Sequence, residues 1–401
     1  MGKPVLWIIN EYAGAPKYGM EFRHFYLGKK LSELDYQVHI VSASYSHLFF
    51  NYPKVKCENI EGVNYHWLKV LKYPDAHSKK RVLKWFQFST KLFQFLRKLP
   101  KPDFVYVSSP FLFPVIPAKF FADRYKAKFI FEIRDIWPLS LVELGGFSWN
   151  HPFIKLLRKI ELFALEKADC VVSVLFNFDR YLEDIGMERE WAYIPNGIDI
   201  TAVREEPLPN WFVKEVPKNK FIVAYTGTIG HANALDVLIE SAALLKDKKE
   251  IVVLIVGKGK DKARLQEIVK RKELVNVKFL SPISKGQVIS FLKNYVDVAY
   301  IGWWNKNIYN YGVSPNKLFD YMYAKKPIIH SISVENDLVS QANCGISVKA
   351  EDPRAVARAL LKLYRMPIGE RLKLGRNGYK FLIDNFTYEK IVSDLIEEVL
   401  R

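Results

Sequence analysis

The 401-residue chain has only three cysteines, Cys57, Cys170 and Cys344. They are too few and too far apart for a disulfide framework or a metal knuckle, and they suit a reducing compartment. No stretch is long and apolar enough to span a bilayer. The opening run MGKPVLWIINEY is too short for a secretion signal and reads as a buried first strand. No Asp-x-Asp pair occurs, which argues against an obligatory divalent cation of that kind. The first glycine loop, EYAGAPKYGM, lacks the GxGxxG spacing, which turns the reading away from NAD or FAD. Acid is the scarcer charge: 43 Asp and Glu against 60 Lys and Arg leave a formal charge of +17. A surplus of that size implies an anionic partner, whether phosphorylated ligand, nucleic acid or anionic lipid. The setting expected is cytoplasmic, with any membrane contact peripheral.

What is present is globular: 49% hydrophobic and 26% charged residues, enough for two domains. Val5–Ile9 reads as a strand, the loop after it holds Gly14 and Gly19, and Glu21–Leu34 reads as a helix with an apolar face. Val38–Ser42 is the next strand. Strand, glycine loop, helix, strand is one unit of a parallel α/β sheet. Gly14 and Gly19 either permit a tight turn or let the backbone approach a ligand at the carboxyl edge of the sheet. Phe129–Ile133 is a strand ending in RDIWP, which puts Arg134 and Asp135 at the same edge. Thr201–Lys220, with three prolines, reads as a linker between domains.

Ser78–Lys101 mixes eight Lys and Arg with aromatics and has no acid. Two readings stay open: a helix covering the sheet with a solvated basic rim, or an interfacial helix on an anionic membrane. On the second, Lys80, Arg81, Lys84, Trp85 and Phe86 are the contact residues. The second half repeats the first half's grammar. Phe221–Tyr225 is a strand running into TGTIG, Glu250–Val256 another running into GKGK, and Val296–Ile301 leads to Tyr311–Lys326, YGVSPNKLFDYMYAKK. That stretch joins turn formers to a helical pattern. Ser314 is placed to cap the helix with Pro315 in its first turn. Loop amides, the helix end and Lys317 favour an anion, and Asp320 is one turn further in, where it can accept sugar hydroxyls. An ordinary capped helix accounts for the same residues.

The order of glycine loop, RDIWP, PNGID (195–199), TGTIG (226–230), VGKG (256–259), SPNKLFDYM (314–322) and a closing helix from Thr387 resembles the family 4 glycosyltransferases. These have the GT-B fold, two Rossmann-like α/β domains with parallel sheets facing across a cleft. Within the family the chain is similar to enzymes of bacterial capsule and O-antigen assembly. The resemblance implies an acceptor-binding domain over 1–200, a nucleotide-sugar domain over 201–380, and a closing helix over 381–401 that packs back on the first domain. The implied reaction moves a sugar, hexosyl or N-acetylhexosaminyl, from a UDP-sugar to a glycan or polyprenyl-diphosphate-linked acceptor with retention of configuration. The implied place is the inner face of the cell membrane, in polysaccharide or lipopolysaccharide assembly.

Carried over by residue, Asp320 takes the place of the second acid of a Glu-x7-Glu segment, which binds ribose, and Gly312 that of the first. Ser314, Asn316 and Lys317 face the phosphates, and Gly14, Gly19 and Gly230 border the nucleotide-sugar. The Arg and Lys that clamp pyrophosphate in many relatives fall on Thr228 and Asn233, so the clamp passes to Lys317 or to Arg134 from across the cleft. Asp135 stands where many relatives have a histidine and is the candidate for a catalytic or acceptor-orienting role, with Lys317 as the second catalytic candidate. The family mechanism lets the donor phosphate take the acceptor's proton, so neither a dedicated base nor a metal cofactor is expected. Rival readings are a nucleotide-sugar epimerase on the same fold and a non-catalytic nucleotide-sugar or membrane-associated subunit. Nucleic-acid binding is disfavoured, because the basic stretch matches no nucleic-acid module.

Overall fold

The computed structural model describes residues 2–19, 22–73, 78, 80–334 and 337–401. Glu21 and Lys79, both within predicted helices, lie outside them. The chain divides into two compact units: the chain up to Gly197 joined by Tyr388–Arg401, and Ile198–Thr387.

The first unit holds an eight-stranded sheet. Its strands are β1 (Val5–Ile9), β2 (Gln37–Ala43), β3 (Cys57–Ile60), β4 (Val63–Leu68), β5 (Phe104–Ser108), β6 (Lys128–Ile133), β7 (Cys170–Ser173) and β8 (Trp191–Tyr193). Their order is β3-β4-β2-β1-β5-β6-β7-β8, and every pairing is parallel except β3 with β4. The strand order reverses at β1, which lies between β2 and β5. In such sheets that is where ligands collect, beyond the carboxyl ends of the strands. The closing helix Tyr388–Leu395 belongs to this unit. Its Ile391, Val392 and Leu395 share a core with Phe25 and Leu31, and Glu389 pairs with Lys30 at 2.8 Å.

The second unit is a six-stranded, wholly parallel sheet in the order β11-β10-β9-β12-β13-β14. The strands are β9 (Phe221–Thr226), β10 (Ile251–Val256), β11 (Val277–Leu280), β12 (Val298–Gly302), β13 (Ile328–Ser331) and β14 (Gly345–Val348). Every residue of β9, β10 and β12 is buried, as strands covered by helices on both faces must be. Two expectations change here. Thr201–Lys220 is not a free linker: it contains the helix Asn210–Glu215, whose Phe212 is buried against Phe291 with ring centroids 5.2 Å apart. Residues 381–385 are the end of the helix Ile368–Asn385 in this unit, so the segment returning to the first unit starts at Tyr388.

Candidate active site

In the second unit the strand order reverses between β10 and β12, on either side of β9. The loops beyond β9 and β10 touch there. A side-chain Cβ at Gly257 would lie 1.9 Å from the Gly227 carbonyl oxygen, so only glycine lets the two turns meet. The stretch after β12 reaches the same place. Gly312 has φ +104°, a backbone conformation that suits glycine, and the helix Asn316–Tyr323 begins four residues later. Pro315 occupies the capping position and has no side-chain oxygen to offer. Ser314 therefore stands one residue outside the cap predicted for it. The helix is tied to β9 by Tyr321, whose hydroxyl accepts from the Thr226 amide at 2.9 Å.

Lys317 is the centre of this arrangement. Its Nζ donates to the Tyr225 hydroxyl (2.9 Å) and to Asn233 Oδ1 (2.6 Å), and it sits 4.3 Å from the centroid of the Tyr225 ring. Asn233 Nδ2 and the Tyr225 hydroxyl both donate to the Thr228 carbonyl, at 3.0 and 2.6 Å, which fixes the holder itself. Burial pushes the ammonium down to about 7. Asn233 and Tyr225 thus hold a lysine delivered from another element, and the Thr228 carbonyl braces both of them. Gly230 lies in the same loop, where nothing crowds a side-chain position more closely than 3.7 Å. Asn316 is exposed in the helix's first turn. Asp320 is half-buried; its Oδ1 lies 3.4 Å from Lys285 Nζ and receives no hydrogen bond among the described residues. A cation held by neutral partners, helix amides beside it and an acid one turn on can take a diphosphate and then a diol.

A second polar group at this edge went unmarked in the sequence. His330, at the end of β13, accepts at Nε2 from the Trp303 indole N–H (3.0 Å). Its Nδ1–H therefore donates to Asp337 Oδ1 at 2.8 Å. Burial opposes ionisation of Asp337, but His330 and Ser340 outweigh it and hold the carboxyl well below the usual range. Trp303 opens the stretch that leads to Gly312, so the pair anchors one end of that stretch.

The first unit departs further from expectation. Gly14 and Gly19 do not border open space. The Gly14 carbonyl accepts from Tyr65, and a Cβ at Gly19 would meet Phe49 Cδ1 at 2.6 Å. Gly19 thus allows a close approach to Phe49 within the unit, and Gly14 is buried. Arg134 and Asp135 are half-buried beyond β6, and the Ser109 hydroxyl accepts from the Arg134 amide at 2.8 Å. Asp135 Oδ2 accepts from the Trp137 indole at 3.2 Å, and burial raises its pKa from the ordinary value. Beneath them lies a group that sequence reasoning missed. Glu132 is fully buried and binds Arg23 (2.7 Å), the Tyr106 hydroxyl (2.7 Å) and His24 (3.2 Å). Burial alone would raise its pKa, but Arg23 and His24 bring it well below the usual range. The only hint was one acid inside the apolar run KFIFEI.

The proposed membrane helix is corrected most. Lys80 is exposed and Phe86 is 42% exposed, but Lys84 and Trp85 are buried, at 0% and 5%. Neither of those two can touch a bilayer. Lys84 Nζ lies 3.4 Å from Glu11 Oε2, over the rings of Tyr12 (4.8 Å) and Tyr73 (5.5 Å). Arg81 is half-buried and donates from Nε to the Tyr12 hydroxyl at 2.9 Å. These residues line the carboxyl side of β1.

Two α/β units built on parallel sheets, with Lys317 at the switch point of the second, fit the GT-B class of glycosyltransferases. Residues 18–202 match the family described as Glycosyltransferase Family 4, and residues 209–381 that described as Glycosyl transferases group 1. Together they account for most of the chain, which belongs to the family 4 glycosyltransferases. One relative is WcaI of Escherichia coli, named for glycosyl transfer in colanic acid biosynthesis, 26% identical over 255 residues. That match spans 61% of this chain and 62% of WcaI. A glycosyltransferase of Methanocaldococcus jannaschii is 24% identical over 57% of each chain. The chain thus matches about three fifths of the length of each relative. Among solved structures, sucrose-phosphate synthase of Thermosynechococcus elongatus superposes with a TM-score of 0.75 at 16% identity, covering 98% of both chains. Anabaena HepE, in complex with UDP, gives 0.69 at 12% identity over 99% of both. Among the described residues, no helix is long and apolar enough to cross a membrane.

Proposed function

We propose that the chain transfers a sugar from a UDP-sugar to a polyprenyl-diphosphate-linked glycan in cell-surface polysaccharide assembly, with retention of configuration. The observation that carries the donor half is Lys317, a half-buried lysine whose Nζ is held by a hydroxyl and an amide oxygen instead of a carboxylate. Such a group gains most when a dianion arrives beside it. The UDP complex of HepE favours UDP as the base-bearing half, and the name of WcaI favours polysaccharide as the product. In this reading Lys317 and the amides at the start of the helix Asn316–Tyr323 stabilise the leaving diphosphate as its charge grows, without a metal ion. Asp320 takes the ribose hydroxyls. The departing phosphate accepts the acceptor's proton, and Asp135 orients the acceptor. The enzyme works at the inner face of the cell membrane, where a lipid-linked acceptor is found.

Calorimetric titration with UDP, GDP and ADP, each with and without Mg²⁺, tests the donor half on wild type and Lys317→Met. Metal-independent UDP binding that weakens about 10- to 100-fold in the variant is expected, the loss of one charge-assisted contact. Preference for GDP or ADP would change the donor. Absence of any nucleotide binding would favour a non-catalytic subunit.

A further inference from the structure

The helix Lys80–Phe95 carries large apolar side chains on both its inner and its outer face. Lys84, Trp85, Phe88 and Leu92 face inward, while Leu83, Phe86 and Phe93 are 60%, 42% and 36% exposed. A helix on a globular domain normally turns its polar side outward. The neighbouring helix Val115–Tyr125 continues the exposed face with Ile116 and Phe120, 42% and 52% exposed. Ring contacts make it one surface: Phe93 lies 5.8 Å from Phe120, and Phe86 lies 4.4 Å from Phe113 just before the second helix. Five large apolar side chains in one exposed face mark a binding surface.

Its rim decides the occupant. Lys80, Arg97, Lys98 and Arg124 are exposed around it, and residues 80–98 contain no acid. The exposed Asp123 is engaged by Lys119. A second copy would bring the same basic rim against this one. An anionic lipid surface matches both parts, with acyl chains for the apolar face and headgroup phosphates for the rim.

We infer that this two-helix face seats the first unit on anionic lipid. Leu83, Phe86, Phe93, Ile116 and Phe120 enter the boundary between headgroups and acyl chains. Lys80, Arg97, Lys98 and Arg124 meet lipid phosphates. The inference builds on the reading of a lipid-linked acceptor and replaces Lys84 and Trp85 with residues that reach solvent.

The test is flotation of the full chain with vesicles of phosphatidylcholine alone or mixed with phosphatidylglycerol. Wild type is expected to float with the anionic vesicles only and to be released by salt. Phe86→Glu/Phe120→Glu is expected to lower partitioning at least about tenfold with an unchanged melting temperature. Leu83→Gln/Phe93→Gln gives the same reading should the first pair fail to fold. Undiminished flotation of a folded double variant would overturn the inference, as would equal binding to neutral vesicles. A dimer in solution that the same substitutions dissolve, without vesicle binding, would assign the face to a second copy instead. UDP titration of the same samples separates the two readings: the double variant should keep wild-type affinity. Flotation by a wild-type protein that binds no nucleotide would sink the donor reading and leave the lipid face standing.

Discussion

Each unit holds a lysine on the carboxyl side of its sheet, Lys84 fully buried and Lys317 half-buried, and the two are treated oppositely. Lys84 is closed in with a counter-charge, Glu11, at 3.4 Å, and the rings of Tyr12 and Tyr73 cover what remains. Neither the Glu11 carboxylate nor the Lys84 ammonium makes a hydrogen bond among the described residues. Burial pushes the Lys84 pKa down, against the pull of Glu11. Lys317 has neutral partners only, and burial takes it down to about 7. A lysine whose counter-charge is built in serves the fold. A lysine whose counter-charge is missing serves whatever anion completes it. The two should therefore fail differently when removed.

Lys84→Met should give the largest effect, on stability. It strands the Glu11 carboxylate in an apolar setting, and breaking a buried pair from one side costs about 3–5 kcal/mol. Denaturant unfolding should show the loss. The double variant Glu11→Gln/Lys84→Met should recover most of it, since methionine and glutamine leave no uncompensated charge. If Lys84→Met is as stable as wild type, the pair is not what holds the loop after β1 against its helix.

Lys317→Met should do the reverse and leave the fold as stable as before or more so. The folded-state pKa lies below the ordinary lysine value, so folding is penalised most at and below pH about 7. The penalty fades as pH rises from about 7 towards the ordinary value near about 10.4. The stability gained in the variant should therefore be greatest at neutral and acid pH. Binding has its own signature. A diphosphate beside Lys317 raises its pKa again, so above pH 7 UDP binding must take up protons. Affinity should fall by up to about tenfold per pH unit there. Calorimetry in buffers of different ionisation enthalpy counts the protons; a proton count near zero at pH 8 would mean that Lys317 does not meet the phosphates.

The sequence made some of this readable and hid the rest, for a physical reason. Strands such as IVVLIV are buried on both faces and announce themselves as unbroken apolar runs. SPNKLFDYM carried its turn formers, its lysine and its acid within one short segment, so local reading placed Lys317 near a ligand. What holds Lys317 is not local: Tyr225 and Asn233 lie 92 and 84 residues away in sequence. The same holds for Lys84, whose partner Glu11 precedes it by a whole βαβ unit. In a helix where lysines and aromatics alternate all round, periodicity cannot say which side faces in. The ordinary preference for charge outside then misplaces Lys84. The helix Ile368–Asn385 was not assigned from sequence; it buries Gly375 and Gly378, residues that weaken a helical pattern.

The smallest effect separates the two halves of the nucleotide site. Asp320 is proposed to take the ribose and Lys317 the phosphates, so their variants should differ with ligand. Asp320→Asn removes the charge from two hydroxyl contacts, roughly 1–1.5 kcal/mol or about tenfold. It should weaken uridine and UDP by the same factor, whereas Lys317→Met should spare uridine. Lys285, 58% exposed and 3.4 Å from Asp320, competes for the carboxylate when the site is empty. Exposed pairs of this kind are worth under about 1 kcal/mol, so Lys285→Met should change affinity less than about fivefold. Titration with uridine is the deciding measurement. An unchanged uridine affinity in Asp320→Asn would remove Asp320 from the ribose and leave the Lys285 pair as its whole role.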